Sequence, residues 1–140
     1  MSEFITRTRV YIEDTDFGGV VYHANYLRWM ERARTDLLRD AGYEQQTLKD
    51  QDLLFVVRGI EIRYRAAAKL DDIVIIKTAI SEMTFATMTF SQRVHLALED
   101  GSEGALLCDA SVQVASVAES SRKVIAIPES ITSAIATYQQ

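Results

Sequence analysis

Residues 13 to 26 read EDTDFGGVVYHANY. Three carboxylates, a glycine pair and one of the chain's two histidines share this short stretch. Asp16 stands just ahead of Gly18-Gly19, where the backbone is free to turn sharply, and a helical pattern begins a few residues later. The first N–H groups of a helix have no partner inside it and carry the positive end of its dipole. A carbonyl oxygen held there is polarised as it gains negative charge, while a nearby carboxylate can attack the carbonyl carbon or orient a water. These are the minimum parts for acyl transfer or hydrolysis without metal or serine. A plain structural role is open to the same residues: carboxylates ahead of a helix serve as caps, and Gly-Gly is common in turns.

Other chemistries fit less well. Counted from Asp14 as a calcium loop, the sixth position is Gly19, but the twelfth is Asn25, where a bidentate glutamate is required, and no helix precedes it. A phosphate cradle would need spaced glycines and a lysine. Two histidines and one cysteine argue against zinc and exclude an intrachain disulfide, so no metal and no cofactor is expected and a reducing compartment fits. Cys108 shares a face with Leu106, Ala110 and Val112 and reads as buried and inert. His95 falls on the polar side of its strand and reads as a surface residue.

The net charge of -5 speaks against nucleic acid as a partner. Residues 1–70 carry eleven charges of each sign, so the second half holds the whole negative excess and a local basic patch remains possible in the first. The N-terminus lacks an apolar run of signal-peptide length, and LLFVV and IVII are too short to span a bilayer. The chain reads as a soluble, cytoplasmic, single domain over 1–140.

The elements that must position these residues follow from periodicity. Residues 4–12 read as a strand. From about Tyr22 to Ala41 the period is helical, with Tyr26, Trp29, Met30, Ala33 and Leu37 as an apolar stripe, Arg32 and Asp36 as an i, i+4 pair and Gly42 at the C-terminal cap. Four long strands follow: one in LLFVVRGIEIRYR, one in DIVIIKTAI (apolar on both faces), one in ATMTFSQRVHLAL and one in GALLCDASVQVASVA. EDGSEG supplies a tight turn, and IPESITSAIATY a terminal helix. The short turns force a largely antiparallel sheet, and the helix must bury its stripe against one face. This is an α+β fold with apolar area left over, which favours a symmetric partner subunit.

YIEDTDFGGVVYHANYLRWMERART closely resembles the signature of the 4-hydroxybenzoyl-CoA thioesterase family of hotdog-fold enzymes. Its run EDTDxGGVVYHxxYxxxxERART resembles the bacterial Tol-Pal-associated acyl-CoA thioesterase subgroup. The likeness continues through FVVRGIEIRYRAAAKLDDIVII, TFSQRV and the late IP. It implies an antiparallel sheet wrapped around one long central helix, and a homodimer or homotetramer with its active site at the subunit interface. It also implies an acyl-CoA substrate hydrolysed to acid and CoA. Asp16 is then the catalytic carboxylate, as nucleophile or general base, and the N–H near His23 polarises the carbonyl. The His23 side chain is a further active-site residue, and Gly19, Tyr22 and Asn25 line the same region. Phe17 stands where a small residue is frequent, and its ring is expected to reshape the acyl pocket. CoA carries phosphates, for which Arg58, Arg63 and Arg65, with Lys69 close by, are the candidates. Glu31, two turns into the helix, is the alternative catalytic carboxylate, with a surface ion pair as its plainer reading. A non-hydrolytic module binding acyl-CoA or an acyl carrier protein is the rival function. A dehydratase on the same fold has no support in these residues.

Overall fold

The structure, a computed structural model, describes residues 2–140. In chain order the elements are β1 (Phe4–Arg9), α1 (His23–Asp40), α2 (Gln45–Asp50), β2 (Leu53–Tyr64), β3 (Ile73–Met83), β4 (Thr87–Ala97), β5 (Glu103–Ala118) and α3 (Glu129–Ile135). The five strands form one antiparallel sheet in the order β1-β3-β4-β5-β2. The first strand ends at Arg9, short of the expected residue 12, because Ile12–Asp14 closes into a single 3-10 turn that leads into the glycine loop.

The helix α1 lies across the inner face of the sheet. Tyr26, Trp29, Met30, Ala33 and Leu37 are all buried, as their spacing predicts. Its N-terminal half shares a core cluster with Val74, Ile76, Val94 and Cys108, and its C-terminal half shares another with Ile80, Phe90, Val112 and Ile131. The C-terminus closes in a Schellman turn. Gly42 (φ 100°) donates to the Arg39 carbonyl and Tyr43 to the Leu38 carbonyl, which satisfies two orphan acceptors of the last turn. Asp36 pairs with Arg39 at 2.8 Å rather than with Arg32.

Two residues depart from the expected pattern. His95 is buried, not on the surface. The β4–β5 register is irregular on both sides of it, and the start of β5 covers the ring: Nδ1 meets the Gly104 carbonyl at 3.1 Å and Nε2 the Glu103 carboxylate at 2.7 Å. Gln92 occupies an inner position among apolar neighbours and is fully buried. Its Nε2 donates to the Met30 carbonyl and to Thr78 Oγ1, both at 2.9 Å, and its Oε1 accepts from Arg34 at 3.0 Å.

β2 is the outer strand on one side of the sheet. Eleven of its twelve residues pair with β5 and, among the described residues, with no other strand, and Val57, Ile60 and Tyr64 on it are more than two-fifths exposed. None of the described helices is long and apolar enough to cross a membrane.

Candidate active site

Residues 15 to 21 form a small hairpin. Thr15 bridges Val21, the Asp16 N–H donates to the Val20 carbonyl at 2.8 Å, and Gly19 adopts φ 85°, a conformation that suits glycine alone at little cost. The hairpin is tied to the segment after β2: Val20 bridges Lys69, and the Val21 N–H donates to the Ala68 carbonyl at 2.9 Å. Its base is tied to α1. Asp14 Oδ1 accepts from Asn25 Nδ2 at 2.7 Å, its Oδ2 accepts from the Tyr11 N–H at 2.8 Å, and its carbonyl accepts from the Tyr22 N–H. Asn25, buried in the first turn of the helix, thus fixes where the loop sits against that turn.

Of the three carboxylates, Asp14 is spent on structure and Asp16 is not. Asp16 is exposed. One oxygen accepts from the Gly18 N–H at 2.8 Å, and the other meets no donor among the described residues. That single bond fixes the carboxylate's direction and leaves a free acceptor. Gly18 leaves it room, since a Cβ there would lie 3.2 Å from the Asp16 oxygen.

Asp16 does not cap α1. The cap residue is Tyr22, whose side chain makes no capping bond, and the first internal bond runs from the Asn25 N–H to the Tyr22 carbonyl. The N–H groups of His23 and Ala24 meet no acceptor among the described residues. Two dipole-aligned donors therefore stand open at the start of an eighteen-residue helix.

Around them the wall is aromatic. The His23 ring lies 4.6 Å from that of Tyr22 and 6.0 Å from that of Tyr64, which in turn lies 5.9 Å from Tyr26. Val21, His23, Tyr26, Tyr64, Arg65 and Ala66 line a recess here. The Tyr64 hydroxyl donates to the His23 carbonyl at 2.9 Å, and the Tyr26 hydroxyl accepts from the Ala68 N–H at 3.0 Å. Burial raises both phenols above their ordinary range, so both are protonated at neutral pH and add no negative charge to the recess.

The recess gathers His23 and Arg65; the Tyr22 ring lies tilted against that of His23, Asn25 is buried in the same first turn of α1, and Asp16 and Gly19 stand on the hairpin, none of these four lining the recess. Arg65 reaches Asp109 at 3.2 Å. The other two arginines lie elsewhere. Arg63 lines a depression on the sheet surface with Arg93 and Ser111, and Arg58 is exposed at a bulge in β2. Phe17 is fully exposed and lines none of the described recesses, contrary to the expectation that its ring reshapes the pocket. Glu31 is exposed and forms no ion pair among the described residues; it faces a separate cavity farther along α1. Burial raises the Cys108 thiol to about 12, which keeps it protonated and unreactive. Tyr64 and Gln92 escaped the sequence reading. The signal for Gln92 was one polar residue at an inward position of an apolar alternation.

A family model described as the thioesterase-like superfamily matches residues 10–135. The chain is 46% identical over 127 residues to the acyl-CoA thioesterase YbgC of Haemophilus influenzae, covering 90% of this chain and 89% of that protein. It is 44% identical over 132 residues to the acyl-CoA thioester hydrolase YbgC of Escherichia coli, covering 94% and 92%. Among solved structures it resembles a probable thioesterase from Bartonella henselae, with TM-score 0.81 and 36% identity over 91% of this chain and all of that one.

Proposed function

The chain belongs to the thioesterase-like superfamily and is an acyl-CoA thioester hydrolase of the hotdog fold; from that premise we propose that Asp16 and the open start of α1 carry the reaction. One observation carries this reading: a carboxylate with a free oxygen stands on a hairpin fastened beside two unpaired helix N–H groups. The thioester oxygen accepts from the His23 and Ala24 N–H groups, which stabilise the oxyanion as it forms. Asp16 acts on the carbonyl carbon, either directly through a mixed anhydride or by taking a proton from water. In both routes the C–S bond breaks, water supplies the second oxygen of the acid, and the thiolate leaves. The His23 ring, at the recess beside the helix start, is placed to protonate that thiolate. Arg65, just past the end of β2, is the cation at the recess for the CoA phosphates, and Arg58 and Arg63 on β2 are secondary candidates away from it.

We also propose a homodimer built by antiparallel self-pairing of β2. A long edge strand with exposed apolar side chains and unpaired backbone groups is a template for another strand, and a second copy completes it with closed symmetry. The two-fold axis then runs normal to the sheet and leaves both copies of α1 on one face.

The test is thiol release from a series of acyl-CoAs by the native protein and by Asp16→Ala. Release by the native protein and a loss of at least about a hundredfold in the variant are expected. Equal rates would remove Asp16 from the mechanism. No release across the series would favour a binding module.

A further inference from the structure

A cavity of about 240 Å³ lies between the second half of α1 and the inner face of β2, β4 and β5. Phe55, Val57, Met88 and Phe90 make its apolar walls, and Arg34 and Glu31 reach it from the helix. Arg34 is only 9% exposed. One guanidinium nitrogen donates to Gln92, and the amide of Gln92 cannot turn, because its two hydrogens are already given to Met30 and Thr78. No carboxylate lies within 4.0 Å of Arg34 among the described residues, and its remaining donors meet no protein acceptor there. The result is a buried, oriented cation at the side of an apolar cavity, with most of its donors unused.

The helix itself says which thioester this cavity serves. Arg34 stands eleven residues beyond His23, roughly 16 Å at the rise of an α-helix, so a short acyl group held at the same chain's helix start falls well short. The dimer changes this. His23 is bonded to Tyr64 at the end of β2, while Leu38 and Phe55 share the cavity near its beginning, so α1 and β2 run in opposite directions. Self-pairing about the middle of β2 therefore sets the partner's His23 beside Phe55 and Val57, at the mouth of the cavity.

Resting on the thioesterase and dimer reading above, we propose that this cavity receives the far end of the acyl group held at the partner's His23, and that Arg34 selects acyl groups ending in a carboxylate. A carboxylate matches the planar fork of a guanidinium with two parallel hydrogen bonds, which a methyl end cannot supply. Glu31 borders the same cavity from an exposed position and opposes such a ligand.

The experiment compares kcat/KM for glutaryl-CoA and pentanoyl-CoA, equal in chain length, in the native enzyme and in Arg34→Gln and Glu31→Gln. The native enzyme is expected to favour glutaryl-CoA at least tenfold, Arg34→Gln to erase that preference, and Glu31→Gln to raise it severalfold. Thermal melts report whether Arg34→Gln folds; if it does not, the Glu31→Gln ratio decides. Equal rates for the two substrates, or a ratio moved by neither variant, overturn the assignment. Sedimentation of the native protein separates the two readings: a monomer sinks the dimer and the cross-subunit site with it, whereas a dimer without preference sinks the role of Arg34 alone. In mixed dimers of Asp16→Asn and Arg34→Gln chains, glutaryl-CoA activity should return to about a quarter of native, because random pairing leaves one intact site in each mixed dimer. No recovery would place both residues in one chain's site.

Discussion

The hydroxyl of Tyr64 donates to the main-chain carbonyl of His23 at 2.9 Å, so the last residue of β2 holds the first residue of α1. The carbonyl it engages belongs to the peptide whose N–H, on Ala24, is one of the two open donors. The same bond therefore orients that donor and, by polarising the peptide, strengthens it.

Tyr64→Phe keeps the ring against His23 and Tyr26 and removes only this bond. A neutral hydrogen bond contributes about 1 kcal/mol, so the melting temperature is expected to fall by roughly 2–4 °C and kcat by up to roughly fivefold, while KM changes little. Steady-state kinetics with one acyl-CoA and a thermal melt check this. An unchanged kcat would mean that the helix start is held by the Asp14–Asn25 tie alone.

The two loop glycines should fail differently. At Gly19 an added Cβ meets nothing within 4 Å, but φ is 85°, so Gly19→Ala carries a backbone cost of about 1–2 kcal/mol. Gly18 has no such conformation, but its Cβ would press on the Asp16 oxygen at 3.2 Å. Gly18→Ala is expected to lower kcat with a melting curve close to native, and Gly19→Ala to lower both. A Gly18→Ala enzyme of full activity would show that the direction of the Asp16 carboxylate is immaterial.

Much of this was open to a reader of the sequence. The stripe from Tyr26 to Leu37 has one period, and a 3.6-residue repeat has only one face to bury. The hairpin turn at Asp100-Gly101 and the cap at Gly42 follow from local chemistry, since both glycines sit at positive φ. The role of Asp16 could be suspected but not separated from that of Asp14. Both precede a helix, and only the tertiary bonds from Asn25 and Tyr11 show which one is spent. α2 has a single buried residue, Leu48, and so offers no pattern. The position of Arg34 was hidden for another reason. Its own helix gives it a polar neighbourhood, and its burial depends on Gln92, fifty-eight residues away.

That pair carries a stability prediction. Gln92→Leu suits the apolar face of β4 but takes away the one acceptor that a buried guanidinium meets among the described residues. Leaving a buried charge so exposed to its apolar surroundings costs about 3 kcal/mol, roughly 6–12 °C of melting temperature for a domain of this size. Adding Arg34→Leu should recover part of the loss, and the double-mutant cycle measures the coupling. A double variant no better than Gln92→Leu would assign the cost to the lost bonds at Met30 and Thr78.

The N-terminus offers a pH test. Glu3 lies against Arg93 at 2.8 Å and Lys77 at 3.4 Å, joining the residue ahead of β1 to β3 and β4. Partial burial pushes its carboxyl upward, but the two cations outweigh this and hold it below its ordinary range. A carboxyl whose folded value is depressed adds stability above its unfolded value, and that stability is lost as pH falls through the folded one. The expected size is that of a partly exposed pair, about 0.5–1 kcal/mol. Glu3→Gln should therefore melt a few degrees below native at pH 7, by roughly 2–4 °C per kcal/mol, and the gap should close as the pH is taken below about 4. Raising the salt at pH 7 should narrow the same gap. A gap that stays constant from pH 7 to pH 3 would mean that Glu3 acts through packing and not through its charge.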